Sequence, residues 1–119
     1  MKILVVEDED VMREIVIEKL SLLGISSVQE AGSVSEAKTI LEALAKDEEF
    51  DLIVSDYQMP GDHGGNLLRY IYEKKIRTQF VLFTSSLELD LPILDENFLG
   101  IIEKPHLDRL MNLIEKKAL

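Results

Sequence analysis

Four places in the chain set a polar or charged group at the end of an apolar run: Glu7-Asp8 after Ile3 to Val6, Asp56 one residue beyond Leu52 to Val54, Thr84 after Phe80 to Phe83, and Glu103-Lys104-Pro105 after Phe98 to Ile102. Short apolar runs rich in valine, isoleucine and leucine predict buried strands of a parallel sheet. In an open α/β sheet, ligands bind outside the carboxyl ends of the strands, so these endings converge on one edge. Three carboxylates gathered there repel, and in a partly dry crevice the repulsion raises a pKa or requires a cation. A hard divalent ion, Mg²⁺ or Mn²⁺, satisfies such oxygen ligands while keeping several waters. A lysine and a threonine at the same edge suit the oxygens of a phosphoryl group, whose charge must be neutralised during transfer. One carboxylate is then free to be the nucleophile, and Asp56, followed by Pro60-Gly61 and Gly64-Gly65, is the organising candidate. Taken singly, each residue has a plainer reading: Asp56 a turn cap, Glu7-Asp8 a solvated loop, Lys104 a surface lysine, Thr84 a strand end. Their coincidence at one edge argues for the site.

The elements that would position these residues alternate between two periodicities. Lys2 to Val6 reads as a buried strand, and Asp10 as the cap of a helix whose inner face is Met12, Ile15, Val16, Leu20 and Leu23, stopping at Gly24. Ile25 to Ala31 is a more polar strand suited to a sheet edge. Ser33 and Glu36 have capping-box spacing, ahead of a helix with Ala37, Ile40, Leu41 and Leu44 inward. After the charged connection Lys46 to Glu49 comes the Asp56 strand, then a helix carrying Leu67, Leu68 and Ile71 that ends near Lys74-Lys75. Phe80 to Phe83 is the fourth strand. Leu87 to Leu91 alternates with period two, and Pro92 permits at most a short helix from Pro92 to about Asn97. Phe98 to Ile102 is the fifth strand, and Leu107, Leu110, Met111 and Ile114 carry the last helix. Five βα units predict a doubly wound α/β fold, a parallel five-stranded sheet with helices on both faces.

With 119 residues, the expectation is a single domain over 1–119. There is no cysteine, which rules out disulfides and thiolate metal sites. The start is too short and too quickly acidic for a signal peptide, and no apolar run approaches membrane-spanning length, so a cytoplasmic location is expected. A formal charge of −10 opposes direct contact with nucleic acid or an anionic membrane and favours a cation or a basic protein partner. His63 and His106 are isolated and read as loop or helix-start residues. Neither a Gly-x-Ser-x-Gly elbow nor a phosphate-binding glycine loop of the common types occurs.

The motifs Ile3 to Glu9, Asp56-Tyr57-Gln58-Met59-Pro60 with Gly64, Thr84-Ser85 and Lys104-Pro105, in this order, resemble those of response-regulator receiver domains of two-component signalling, chemotaxis regulators among them, over essentially the whole chain. The resemblance implies a flavodoxin-like (βα)5 fold with strand order 2-1-3-4-5. It implies that Asp56 accepts a phosphoryl group from a sensor histidine kinase or a histidine phosphotransfer protein. Asp8, Asp56 and the Gln58 backbone carbonyl would bind Mg²⁺, and Glu7 would act through water. Lys104 and Thr84 would meet the phosphoryl oxygens. Water at the same centre would reset the protein, which is then no turnover enzyme on an external substrate. Output would pass to a downstream protein or through self-association.

Three departures fall on the family's output face, formed by the fourth helix, fifth strand and fifth helix. Ile101 stands where the family usually has a switching aromatic, His106 follows Lys104-Pro105 where phenylalanine is common, and the stretch from Thr84 to Lys104 is short and carries Pro92. The fourth helix is therefore expected to be short or irregular, with ordering of Leu87 to Asn97 as the switch. The competing reading is a receiver-like interaction or dimerisation module that no longer needs phosphate. A haloacid-dehalogenase-type phosphatase is disfavoured, because its second aspartate would fall where Gln58 stands.

Overall fold

Strands made of aliphatic residues with no polar face are stable only when both faces are covered. The computed structural model, which describes residues 1–86 and 88–118, meets that demand with one five-stranded sheet between two helical layers. The strands are β1 (Lys2–Val6), β2 (Ser27–Ala31), β3 (Leu52–Ser55), β4 (Gln79–Thr84) and β5 (Phe98–Glu103). All pairs are parallel, in the order β2-β1-β3-β4-β5 expected of the flavodoxin-like fold. The helices are α1 (Asp10–Leu22), α2 (Val34–Glu42), α3 (Gly64–Glu73) and α4 (Leu107–Ala118). Ile3 and Val5 of β1 pack with Val16 and Leu20 of α1 and Leu110 and Ile114 of α4. Leu4 and Val6 face the other layer, against Ala37 of α2 and Leu67, Leu68 and Ile71 of α3. Each of these valines, leucines and isoleucines, once buried, contributes about 1.5–3 kcal/mol against the entropy of ordering it.

Register brings the strand ends together. Val6 pairs with Ser55, so Glu7 and Asp56 leave neighbouring strands side by side, and Thr84 pairs with Glu103, one residue before Lys104. As expected, β2 is an edge strand and Gly24 ends α1 in a left-handed conformation, φ +81°. The Ser33 cap is present, its Oγ accepting from the Glu36 N–H at 3.1 Å, while Glu36 Oε2 accepts from Gly32 N–H at 3.0 Å. Asp10 does not cap α1. Glu9 is the N-cap, without a side-chain bond, and Asp10 is drawn into an ion pair with Arg13 at 2.6 Å. A charge-assisted bond to guanidinium outcompetes a neutral amide.

The short helix expected over Pro92 to Asn97 is absent, and residues 88–97 run from β4 toward β5 with only a single turn at their end, closed by Phe98 N–H on the Asp95 carbonyl at 3.1 Å. Helix nucleation is costly, and six residues recover few internal bonds. The backbone finds other partners: Asp90 N–H donates to the Tyr57 hydroxyl at 2.8 Å, Asp95 N–H to the Tyr72 hydroxyl at 3.2 Å, and Phe80 N–H to the Asn97 carbonyl at 2.9 Å. Leu89 and Leu91 pack against the core, whereas Ile93 is 94% exposed. Leu87, the first residue of the period-two stretch, lies outside the described residues. In β5, Phe98 pairs with Phe80 but Gly100 with Val81, leaving Leu99 as an inserted residue beside Gly100 at φ +129°.

The carbonyl of Asp90 lies against Gly65, at a separation no side-chain carbon could occupy. Alanine in a helix ordinarily gains up to about 1 kcal/mol over glycine. Here the overlap, costing about 1–3 kcal/mol, decides the sign. Gly65→Ala should lower stability in urea unfolding and speed amide exchange in residues 88–97. Unchanged exchange in that stretch would show that the contact does not hold it.

Candidate functional site

Each residue of the site is delivered by the end of a strand. Glu7 follows β1, and its N–H donates to the Ala31 carbonyl of β2 at 2.9 Å, which fixes the start of the turn to α1. Asp56 follows β3, with its N–H on the Val6 carbonyl at 3.0 Å. Lys104 follows β5, and its N–H donates to the Thr84 carbonyl at 3.0 Å, tying the last two strand ends together. Glu7, Asp56 and Thr84 are all buried, and Asp8 is half-buried.

Glu7, Asp8 and Asp56 each offer a carboxylate oxygen within 4.8 Å of the others. Lys104 Nζ lies between two of them, 2.6 Å from Glu7 Oε1 and 2.8 Å from Asp56 Oδ2. The other oxygen of Asp56, Oδ1, accepts the Tyr57 N–H at 2.7 Å, with the Gln58 N–H at 3.4 Å. Thr84 Oγ1 accepts the Ser86 N–H at 3.2 Å, and Ser86 Oγ donates to Gln58 Oε1 at 3.0 Å, bridging the loops after β3 and β4. Glu7, Asp8, Asp56 and Lys104 thus form one cluster, with Thr84 and Gln58 at its border.

Three carboxylates face one ammonium. Burial pushes the Glu7 carboxyl above the ordinary glutamate range, and the nearby Asp56 charge pushes the same way, against the opposing pull of Lys104. For Lys104, burial alone would lower the pKa, but the bonds to Asp56 and Glu7 outweigh it and raise the value. The unbalanced negative charge and the all-oxygen donor set fit a hard divalent cation, with Asp8 as the least buried donor of the three. The histidines stand outside this cluster, as expected. His63 is the N-cap of α3 and stacks on the Tyr57 ring at 4.6 Å, and His106 directly precedes α4.

Two residues escape a reading of the sequence alone. Arg13 reaches back from α1 to donate from Nη1 to the Glu7 carbonyl at 2.7 Å. A basic residue in the first turn of a helix opposes the helix dipole, and that is the signal for it. Tyr57 joins the site to residues 88–97, since its N–H meets Asp56 and its hydroxyl meets Asp90. An aromatic next to a candidate nucleophile is the only trace of this in the sequence.

The sequence matches the response regulator receiver domain family over residues 3–115. Chemotaxis protein CheY-3 of Vibrio cholerae is 44% identical over 71 residues, 60% of this chain and 52% of the relative. Chemotaxis protein CheY of Pseudomonas aeruginosa is 38% identical over 71 residues, 60% of this chain and 54% of the relative. The match spans about half the length of these curated relatives. Among solved structures, response regulator protein TrrA from Thermotoga maritima in complex with Mg²⁺-BeF has a TM-score of 0.81 at 28% identity, covering 100% of both chains. The receiver domain of the hybrid histidine kinase CckA has a TM-score of 0.77 at 27% identity, also covering 100% of both.

A carboxyl whose folded pKa is raised favours folding most when protonated, and that contribution is lost as pH rises through the folded value. Glu7→Gln removes the titration. Without metal, the wild type should lose stability relative to Glu7→Gln as pH rises from the ordinary glutamate range through the raised value of Glu7, measured by urea unfolding at each pH. A stability difference that did not change with pH would mean that Glu7 titrates normally.

Proposed function

The chain belongs to the response regulator receiver domain family, and from that premise we propose that it is a phosphoacceptor switch in which Asp56 takes a phosphoryl group from a histidine kinase or a histidine phosphotransfer protein in an Mg²⁺-dependent reaction. The observation that carries this reading is the Lys104 ammonium shared between Asp56 and Glu7, with the Asp8 carboxylate beside them. An Asp56 carboxylate oxygen bonds to phosphorus as the bond from phosphorus to the donor's imidazole nitrogen breaks, and the imidazole leaves with the electron pair. Lys104 neutralises charge on the transferred oxygens, and Thr84 turns its hydroxyl from Ser86 to donate to one of them. Asp8, Asp56 and the Gln58 carbonyl are assigned to Mg²⁺, with Glu7 acting through water. When bound, the cation supplies positive charge opposite the phosphoryl oxygens. Reset is hydrolysis: water attacks phosphorus, the bond to Asp56 breaks and inorganic phosphate leaves. The protein is the substrate of its own chemistry rather than an enzyme turning over an external one.

Output is assigned to residues 88–97 with β5 and α4. Ile101 is 48% exposed and pairs with Leu82, on the sheet face that a helix between β4 and β5 would cover. Tyr57 connects this region to the phosphoacceptor, because an adduct on Asp56 changes what the Tyr57 N–H meets while the hydroxyl holds Asp90. A few kcal/mol of differential stabilisation suffices for such a switch. The partner is a downstream protein or a second copy. Among the described residues no helix is long and apolar enough to cross a membrane, and a cytoplasmic setting is part of this proposal. The exposed Ile93, Leu94 and Ile101 favour the second reading, an interaction module independent of phosphate.

The deciding experiment is intact mass after incubation with acetyl phosphate and Mg²⁺, beside Asp56→Asn. One phosphoryl adduct is expected, absent from the variant and absent without metal. No adduct with any small donor, together with no response to beryllofluoride, would favour the interaction module. In the phosphorylated protein, amide exchange in residues 88–97 should differ from that of the free form, and identical exchange would remove this stretch from the output route.

A further inference from the structure

Arg13 occupies the first turn of α1, where the free N–H groups of the helix already carry partial positive charge. It is held there by acceptors on three parts of the chain. Nε donates to Glu30 Oε1 of β2 at 2.8 Å, Nη2 to Asp10 Oδ1 of α1 at 2.6 Å, and Nη1 to the carbonyl of Glu7 at 2.7 Å. Its side chain is 17% exposed, and it lines a 280 Å³ cavity with Asp8, Asp10, Glu30 and Glu36.

The third bond sets Arg13 apart from a staple between β2 and α1. The Glu7 carbonyl belongs to the peptide that joins Glu7 to Asp8, so fixing its direction fixes where the Asp8 backbone goes next. Backbone bonds hold the turn on either side, Glu7 N–H on the Ala31 carbonyl and Arg13 N–H on the Glu9 carbonyl, both at 2.9 Å. Glu9 N–H adds a 3.3 Å contact to Glu7 Oε2, and the Arg13 side chain is what takes the carbonyl of the Glu7–Asp8 peptide itself. As a bare charge beside a cation site, a guanidinium is unfavourable. Glu30 and Asp10 match that charge at close range and leave the geometry of the fork as its contribution.

We propose that Arg13 is a positioning residue: by clamping the Glu7 carbonyl to β2 and α1, it holds the Asp8 carboxylate in place beside Glu7 and Asp56 for a divalent cation. The inference rests on the reading of that cluster as a Mg²⁺ site. It concerns a residue that touches neither the cation nor the phosphoryl group, and it predicts an effect opposite in sign to that of charge alone.

The test is Mg²⁺ titration of the wild type, Arg13→Gln and Arg13→Lys, followed through the amide resonances of residues 8 and 56–58, with urea unfolding of each protein without metal. Both variants should bind Mg²⁺ on the order of tenfold more weakly, the usual cost of losing a residue that orients a metal ligand. Glutamine loses the fork together with the charge, whereas lysine keeps the charge and loses only the fork, so it is also the milder change if the glutamine variant folds poorly. Tighter binding by Arg13→Gln with unchanged binding by Arg13→Lys would reduce Arg13 to a charge effect and overturn the proposal. Lower urea midpoints with unchanged Mg²⁺ affinity would make it a structural staple and overturn it equally. Absence of a wild-type response to millimolar Mg²⁺ would remove the metal reading and this role with it, whereas a normal wild-type response with unaltered variants would remove this role alone.

Discussion

Lys104 Nζ stands within hydrogen-bonding distance of both Glu7 and Asp56, and both carboxylates are almost wholly withdrawn from water. A buried charge without a partner costs several kcal/mol, so these three residues are tolerable only together. Their contact spans most of the chain, since Glu7 ends the first strand and Lys104 follows the last. Parallel pairing of β1 with β3 and of β4 with β5 must therefore be in register before the charges can meet. The sheet is the precondition of the site. Even then the charges do not balance, and the excess of carboxylate makes the cluster ready for a cation.

Much of this was legible from residue order alone. Runs such as Ile3 to Val6 and Leu52 to Val54 have no polar face, which forces them to the middle of a parallel sheet. The polar residues that follow them are then placed by geometry, and Glu7, Asp8, Asp56 and Lys104 do come together. The failures share a cause. Asp10 and Pro92 carry local signals, for a cap and a helix start, and in both cases a side-chain hydrogen bond prevails over the local signal. Arg13 takes Asp10, the Tyr72 hydroxyl takes the Asp95 N–H that a helix from Pro92 would have satisfied internally, and the Tyr57 hydroxyl fixes Asp90 just ahead of it. Local propensity is worth tenths of a kcal/mol per residue, and a single charge-assisted or buried bond exceeds it.

The connection from β4 to β5 is where this chain departs furthest from the expected (βα)5 plan. A helix there would have buried one face of β5 and satisfied its own backbone. Residues 88–97 do the first in part, through Leu89 and Leu91, and hand the second to α3 and the loop after β3. The stretch is thereby fastened to the element that carries Asp56, with Arg69 of α3 adding an ion pair to Asp90 at 2.9 Å. Few of its bonds are internal, so its conformation depends on neighbours close to the charged cluster. A change at the cluster therefore has a short mechanical route to this surface through Tyr57.

The inserted Leu99 and the left-handed Gly100 also bear on how the molecule meets its own kind. β5 is the outer strand of a parallel sheet, and an outer strand with a straight run of free amides and carbonyls is a template for another chain. A bulge breaks that run and sharpens the local twist, so the hydrogen-bonding groups no longer point along one line. Continuous sheets built edge to edge across two copies are discouraged at this border. An assembly at this border would rest on side-chain packing rather than on a shared sheet, with Ile93 and Ile101 as the exposed apolar groups nearest to hand.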